Sequence, residues 1–427
     1  MKKINILFDI NVFIESYFNL NSNRSGIFFV ALNVLKIMRK NNIFNIILTY
    51  PLELKNSINL KKIKKDVFFS QYKFFCTGMT SCEIYIQIQQ NIYRHKKNKN
   101  HIKILYNYFR FLKEKMEETF FYVKIYFGNP HIYFSPIHRI PDNILKIDHI
   151  KKFYILYDTI PIIFSEYFSI PVLNPIIDTF NKEIYAFCIS QSCKDDYLKY
   201  CGDRLDPNKM FVTHIATNQQ YIPSYDKQEL IKVLRKYNIE YNLNDKYLFS
   251  LCSLEPRKNI PFTVACFLKF IKKHNINDLY FYLGGGSWEG IKSIIEDKIE
   301  EAGEFKNKIK LLGYIDDSDS NILYSNSLFF IYLSQYEGFG MPPLEAMQAG
   351  TPVITSNNSS LPEVVGDAAV SLTYNDEEAV IKAFENFYFQ EDLRNEYIRK
   401  GLERSKLFSW DKCVGKMIEV IKDITKF

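Results

Sequence analysis

The chain has 427 residues, 47% of them hydrophobic and 24% charged, enough for two or three domains that each bury their own core. No apolar run approaches the ~20 residues that span a bilayer. The basic start, MKKINILFDINVFIE, is interrupted by Asp9 and Glu15 with no small-residue cleavage site after it, so it reads as a first strand and not as a signal peptide. The net charge of +7 is unevenly spread: residues 1–225 hold 30 Lys and Arg against 18 Asp and Glu, and the remainder 25 against 30. That asymmetry suits the first half either to an anionic partner or to a plain solvated face. No recognised nucleic-acid motif accompanies it, so nucleic acid is not an expected partner.

In chain order, NILFDI opens as a buried strand. A loop closing at Ser25-Gly26 leads into a helix, in which Ile27, Val30, Ala31, Val34, Leu35 and Met38 fall at helical spacing. NIFNIILTY is the next strand. Residues 55–125 are rich in lysine and aromatics, with HIKILYNYFRFLKEKMEETFFYVK the longest helical stretch. Core packing accounts for most of those aromatics; a lipid surface or a glycan is the other reading. HIYFSPIHRIP and KKFYILYDTIPIIFSEYF are strands running into loops, the first ending near His138 and the second at Tyr157-Asp158. FCISQSCKDDYLKYCG reads as a strand, a loop with Ser190 and Ser192, and a capped helix. KMFVTHIATN is a further strand, and the polar, proline-bearing YIPSYDKQEL marks a domain boundary near 222–230.

The second half repeats the alternation. YLFSLCSL is a strand ending in Glu255-Pro256-Arg257-Lys258-Asn259, where open α/β sheets bind ligands and where two adjacent cations can neutralise a diphosphate. A charged turn is the plainer alternative. DLYFYLGGGSWEG is a strand with a Gly284-Gly285-Gly286 turn. IKLLGYIDDSDSNILYSNS follows as a third strand, its Asp317-Ser318-Asp319 read as helix capping, with no metal required. LFFIYLS then enters the loop Glu337-Gly338-Phe339-Gly340. Pro342 and Pro343 fit a helix's first turn, Gly350 its C′ position, and PVITS is the next strand. Loop glycines and a helix N-terminus favour anions, whereas Glu337 and Glu345 suit sugar hydroxyls. A ligand that offers both is a nucleotide sugar. Amphipathic helices complete the chain. The eight cysteines are scattered without a C-x-x-C pair, as expected of reduced cysteines in a cytoplasmic protein.

EGFGMPPLEAMQAGTPVITS resembles the donor-binding signature of the retaining glycosyltransferases of family 4 (group 1), which have the GT-B fold. The two glutamates of that signature are separated by seven residues, as Glu337 and Glu345 are. EPRKN resembles the family's diphosphate motif. The resemblance covers most of residues 130–427 and only outlines 1–130. It implies that Glu337 contacts the sugar and favours its developing positive charge, that Glu345 binds the ribose hydroxyls, and that Arg257 and Lys258 stabilise the leaving diphosphate. It also implies that Gly338, Phe339, Gly340, Met341 and Leu344 line the donor site, that Gly284, Tyr314 and Ile315 lie beside the base, and that the Gly26 loop helps to hold the donor phosphate.

This sequence departs from the family at two places. Where many relatives have a histidine before an aspartate, facing the donor sugar, it has Tyr157 before Asp158; His138 is the candidate imidazole to stand in. Where some relatives carry an arginine it has Cys252.

The expected fold class is therefore α/β: GT-B, two doubly wound Rossmann-like domains facing a central cleft. Residues 1–225 would form the acceptor domain, with helix 408–427 packing back on it and Trp410 as anchor, and 226–407 the nucleotide-sugar domain. The expected function is metal-independent, retaining transfer of a hexose from a nucleotide-diphosphate sugar, GDP-mannose favoured. No cofactor is expected. The acceptor would be a glycan or lipid-linked oligosaccharide of a bacterial surface polysaccharide. The protein would be cytoplasmic, its basic N-terminal domain touching the inner face of the plasma membrane. The alternatives are a sugar-phosphate synthase of the same fold and a catalytically degenerate glycan- or nucleotide-binding protein.

Overall fold

The computed structural model describes residues 3–16, 26–51, 57–77, 130–167, 173–217, 221–286 and 291–426. The long helical stretch expected within 101–124 lies outside them. Every strand pairing among the described residues is parallel. The strands are short and buried on both faces, the pattern that parallel sheets require because helices cover each side.

The chain divides into two units: Met1–Ile189 with Lys194–Thr213 and Trp410–Phe427, and Ser190–Cys193 with His214–Ser409. The first holds β1 (Ile4–Asp9), β2 (Phe44–Pro51), β3 (Lys73–Thr77), β4 (Ile132–Ser135), β5 (Lys151–Leu156), β6 (Ile184–Cys188) and β7 (Met210–Val212), in the order β3-β2-β1-β4-β5-β6-β7. The second holds β8 (Lys246–Leu251), β9 (Leu279–Gly284), β10 (Ile309–Gly313), β11 (Phe329–Tyr332), β12 (Val353–Ser356) and β13 (Val370–Leu372), in the order β10-β9-β8-β11-β12-β13. Both are the doubly wound Rossmann arrangement, which reverses direction between its first and fourth strands and opens a ligand crevice at their carboxyl ends. In the first unit that point lies between β1 and β4, and in the second between β8 and β11.

The aromatic richness of the sequence is used inside these sheets. Phe8, Phe134, Phe187 and Phe153 stack across β1, β4, β6 and β5, with centroids 5.2 Å apart for the first pair, 6.1 Å for the second and 5.4 Å for the third. Tyr247 and Tyr282 stack at 4.5 Å across β8 and β9. Rings on adjacent and next-but-one strands meet face to face and bury large apolar areas, so aromatic side chains serve here as sheet glue.

The helix Gly26–Lys40 buries Phe28, Val30, Ala31, Val34, Leu35 and Met38; Phe28 takes the core position expected of Ile27. Within the same unit it packs against the terminal helix Trp410–Thr425. That helix buries Cys413, Val414, Met417, Ile418 and Ile421, whereas Trp410, at its first position, is only half-buried. Among the described residues no helix is long and apolar enough to cross a membrane.

At the end of β9 the backbone of Gly285 (φ +133°) lies against the carbonyl of Cys252, so that a Cβ there would fall 1.6 Å from the carbonyl oxygen. Its N–H donates to Gly313 O, and Leu254 N–H donates to Gly286 O, tying the ends of β8, β9 and β10 together. Gly285→Ala is therefore expected to destabilise the protein by about 2 kcal/mol or more, read as a lower urea midpoint with an unchanged m-value. A midpoint equal to the wild type's would show that the strand ends are free to separate.

Candidate functional site

After β8 the chain turns through a 3-10 segment, Pro256–Lys258. It enters the helix Ile260–His274 through Asn259, whose backbone is left-handed (φ 57°) and whose amide donates to Tyr374 O at 2.7 Å. After β11 it turns through Ser334–Gly340 into the helix Met341–Gln348. Gly340 (φ +107°) makes that entry; a Cβ there would meet Leu361 at 2.8 Å. Since β8 and β11 are neighbours at the reversal point, both turns open on one crevice of the second unit.

Three charged side chains converge there. Lys258 Nζ donates to Glu337 Oε1 at 2.5 Å and to Tyr332 Oη at 2.6 Å, and Tyr332 Oη donates to the same carboxylate oxygen at 2.9 Å. Arg257 Nη1 lies 2.9 Å from Glu337 Oε1 and donates to Tyr336 O, while its Nε donates to Glu255 Oε2 at 2.8 Å. Glu337 is only 7% exposed and Lys258 6%. Charges this deep persist only when paired. Burial alone would raise the pKa of Glu337, but the charges of Lys258 and Arg257 outweigh it and hold the carboxyl down at about 2. Arg257 is in turn raised: burial opposes its charge, and Glu337 more than compensates.

The loop is fixed from behind. Glu337 N–H donates to Ser359 Oγ at 2.9 Å, Ser360 Oγ donates to the carbonyls of Glu337 and Phe339 at 2.8 Å each, and Ser190 Oγ donates to Gly338 O at 2.7 Å.

Glu345 behaves in the opposite way. It is 9% exposed and accepts Tyr324 Oη at 2.9 Å. Burial pushes its pKa up to about 7 although hydrogen bonds from Tyr324 and Tyr221 pull the other way. Two glutamates eight positions apart are thus held in different states near neutral pH, one fixed as an anion and one poised to titrate.

A cavity of about 510 Å³ lies at the ends of β8, β9 and β10, lined among others by Leu254, Leu283, Gly285, Gly286, Gly313 and Tyr314. Gly284 and Ile315 are in tight packing beside it: a Cβ on Gly284 would meet Ile315 Cγ1 at 2.8 Å. The side chains of Phe339 and Leu344 are buried in the core and Met341 is half-buried. Cys252 is buried as well, which pushes its thiol up to about 12.

Asp317 begins the helix Asp317–Ser325, but its N-cap, Asp316, makes no side-chain capping hydrogen bond. Asp319, read as part of a capping run, instead accepts Lys236 Nζ at 2.8 Å and Tyr237 Oη at 3.0 Å. It anchors the helix Lys227–Lys236.

The remaining sequence candidates lie in the first unit. Gly26 is the first residue of its helix. Asp158 Oδ1 accepts Ile160 N–H at 3.2 Å, a local turn bond at the start of the helix Ile160–Ile163. The Tyr157 hydroxyl is buried, which drives its pKa well above 10, with Cys413 close enough to add to the shift. His138 Nε2 is 3.0 Å from Glu15 Oε2.

Tyr332, Tyr324, Ser359 and Ser360 were not singled out as functional in the sequence; Tyr332 and Tyr324 fall there within segments read as strands.

Residues 235–404 match the family model described as glycosyl transferases group 1. Over that segment the chain is similar to the group 1 glycosyl transferases. The group 1 segment holds the Arg257, Lys258, Glu337 and Glu345 arrangement and falls within the second unit. The chain is 33% identical over 215 residues to O-antigen chain mannosyltransferase B of Escherichia coli, covering 50% of this chain and 55% of that protein. It is 26% identical over 278 residues to the serotype-specific mannosyltransferase WbdA of the same species, covering 63% of this chain and 33% of that one. The chain thus spans about half or less of the length of these curated relatives. The crystal structure of Anabaena HepE in complex with UDP and glucose superposes with a TM-score of 0.63 at 13% identity, covering 98% of this chain and 100% of that one. At that identity the likeness is one of fold, the GT-B class with its two Rossmann-like sheets.

Because the Glu345 pKa of about 7 stands above the 4.5 of a free glutamate, the folded protein retains a proton that the unfolded chain has released between those values. Its contribution therefore makes stability fall as pH rises through that window. Glu345→Gln should flatten the dependence of Tm on pH between 4.5 and 7 and leave the acid limb, set in part by Glu337, in place. An unchanged slope would mean that Glu345 is ionised throughout.

Proposed function

We propose that the protein transfers a hexose, with mannose favoured, from a nucleotide-diphosphate sugar to a glycan or lipid-linked glycan, with retention of configuration. The observation that carries this reading is the buried meeting of Arg257, Lys258 and Glu337 at the carboxyl ends of β8 and β11, with Glu345 in the helix that follows. The mannosyltransferase relatives support the choice of sugar and the surface-polysaccharide setting.

In this reading the base occupies the cavity beside Gly313 and Tyr314, and the ribose hydroxyls donate to Glu345. The diphosphate draws Arg257 and Lys258 toward itself. Charge develops on the leaving diphosphate as the glycosidic bond breaks, and two cations held in a desolvated site stabilise it most at that moment. As the diphosphate takes up the cations, the carboxylate of Glu337 is freed to face the anomeric carbon, where positive charge appears. Paired with Lys258 and Arg257, which hold its pKa at about 2, it is already an anion when the donor arrives. The net positive first half, with exposed Lys61, Lys62, Lys64 and Lys65 beside Val67, favours an acceptor presented at an anionic membrane face.

A panel of nucleotide diphosphates and their sugars, each added to the wild type and to Glu345→Ala, tests the donor site by thermal shift. One nucleotide family should raise Tm, and less so in the variant; no shift with any nucleotide would remove the donor reading. With the donor so found, Glu337→Ala should lower turnover about 100-fold or more with a much smaller change in donor affinity, whereas Lys258→Ala should harm both. Equal, small losses from the two changes would sink these assignments.

A further inference from the structure

The first unit carries its own polar group at the place that corresponds to the donor crevice of the second. Its sheet reverses between β1 and β4, and the chain leaves both strands with polar residues. Asp9 ends β1 and is 2% exposed; Asn11 follows and is 9% exposed. Asp9 Oδ1 accepts Asn11 N–H at 2.8 Å, and Asp9 Oδ2 accepts Tyr133 Oη, from β4, at 2.9 Å and the Asn11 side-chain amide at 3.5 Å. His138 follows β4, its carbonyl accepting Ser135 Oγ and its Nε2 bonded to Glu15.

Two atoms of this group are left over. Asn11 Oδ1 and His138 Nδ1 are both buried and have no hydrogen-bond partner among the described residues. Buried polar atoms are paired in almost all proteins, so a pair of orphans at a sheet's reversal point needs a reason. Their chemistry is complementary. The Asn11 amide spends its N–H side on Asp9, which leaves Oδ1 as an acceptor. His138 faces two carboxylates, Asp9 and Glu15; Tyr133 lies behind Asp9, and Arg139 next in the chain is engaged by Asp142. Burial opposes charge on the imidazole, but the bond to Glu15 and the charges of Asp9 and Glu15 outweigh it and raise its pKa. A protonated His138 offers Nδ1–H as a donor. One acceptor and one charge-assisted donor suit the hydroxyls of a sugar, each of which both donates and accepts.

We propose that Asn11 and His138 form a hydroxyl-binding subsite for a pyranose of the acceptor glycan, with Asp9, Tyr133 and Glu15 as the residues that position them. This rests on the glycosyl-transfer reading for its biological role, although the binding chemistry stands apart from it. Asp9 touches no ligand: it holds the Asn11 amide by its N–H side and keeps the histidine charged. Binding at this subsite depends on the protonated imidazole, so it weakens as pH rises through the raised pKa of His138.

The experiment uses the full chain, with an α-linked mannotriose as glycan probe and nucleotide diphosphates as donor-site probes, each followed by calorimetry across pH. Mannotriose binding should weaken about tenfold in His138→Gln and in Asn11→Ala, as loss of one hydrogen bond each implies, with nucleotide affinity unchanged at a temperature where both variants are folded. Glu15→Gln, at a side chain 59% exposed and so tolerant of change, should move the pH at which mannotriose is lost to a lower value. Unchanged mannotriose affinity in both variants, or no mannotriose binding to a wild type that binds nucleotide, would overturn the subsite. An unshifted pH profile in Glu15→Gln would overturn the role given to charge on His138. Mannotriose binding that needs Asn11 and His138 in a protein that binds no nucleotide would keep the subsite and remove the transfer reading instead.

Discussion

A carboxylate, a guanidinium and an ammonium cannot sit under the surface of a protein singly, because each would lose its hydration without return. Glu337, Arg257 and Lys258 are buried together, and the second unit is built so that they can be. The 3-10 turn after β8 presents the two cations side by side, and the loop after β11 brings the carboxylate between them. Glu255 fixes the guanidinium from its other edge, Tyr332 bridges ammonium and carboxylate, and Ser359 and Ser360 pin the loop. Glycine at 340 is what lets the chain turn from this cluster directly into a helix. Removing any one charge leaves the others buried without their partner, so the cluster constrains its neighbours as strongly as it constrains itself.

The same sheet order occurs twice, and in each sheet polar residues gather where the order reverses. Short parallel strands are largely buried on both faces and hold little charge along their length; their carboxyl ends are where the chain can gather it. In the second unit that place holds two cations and an anion, suited to a phosphorylated sugar. In the first it holds Asp9, Asn11, Tyr133 and His138, suited to neutral hydroxyls. One topology thus carries two different chemistries at the same point of its sheet.

The strand–loop–helix unit around Glu337 was legible in the sequence because its signals are local: an apolar run, paired glycines, two prolines and a closing Gly350 lie within a few residues of one another. The adjacent cations at 257 and 258 were legible for the same reason. The hydroxyls that set the state of each glutamate were not. Tyr332 reads as one more strand aromatic until β8 is laid beside β11, and Tyr324 becomes the partner of Glu345 only when two successive helices pack. Asp319 looked like a capping residue because Asp317 and Asp316 stand beside it, yet its partner Lys236 lies 83 positions earlier. Asp9 was visible only as a charge that interrupts an apolar run. The aromatic share of the composition likewise gave no hint that Phe8, Phe134, Phe187 and Phe153 stack in a row across four strands.

The central claim is that Arg257 and Lys258 are held beside Glu337 in order to meet a diphosphate. Calorimetric binding of GDP against GMP, and of UDP against UMP, to the wild type and to Lys258→Ala tests it most directly. The account predicts that the nucleotide family which binds does so much more tightly as the diphosphate than as the monophosphate, and that Lys258→Ala removes most of that difference. Equal affinity for diphosphate and monophosphate in the wild type, or a difference that survives loss of the lysine, would contradict it.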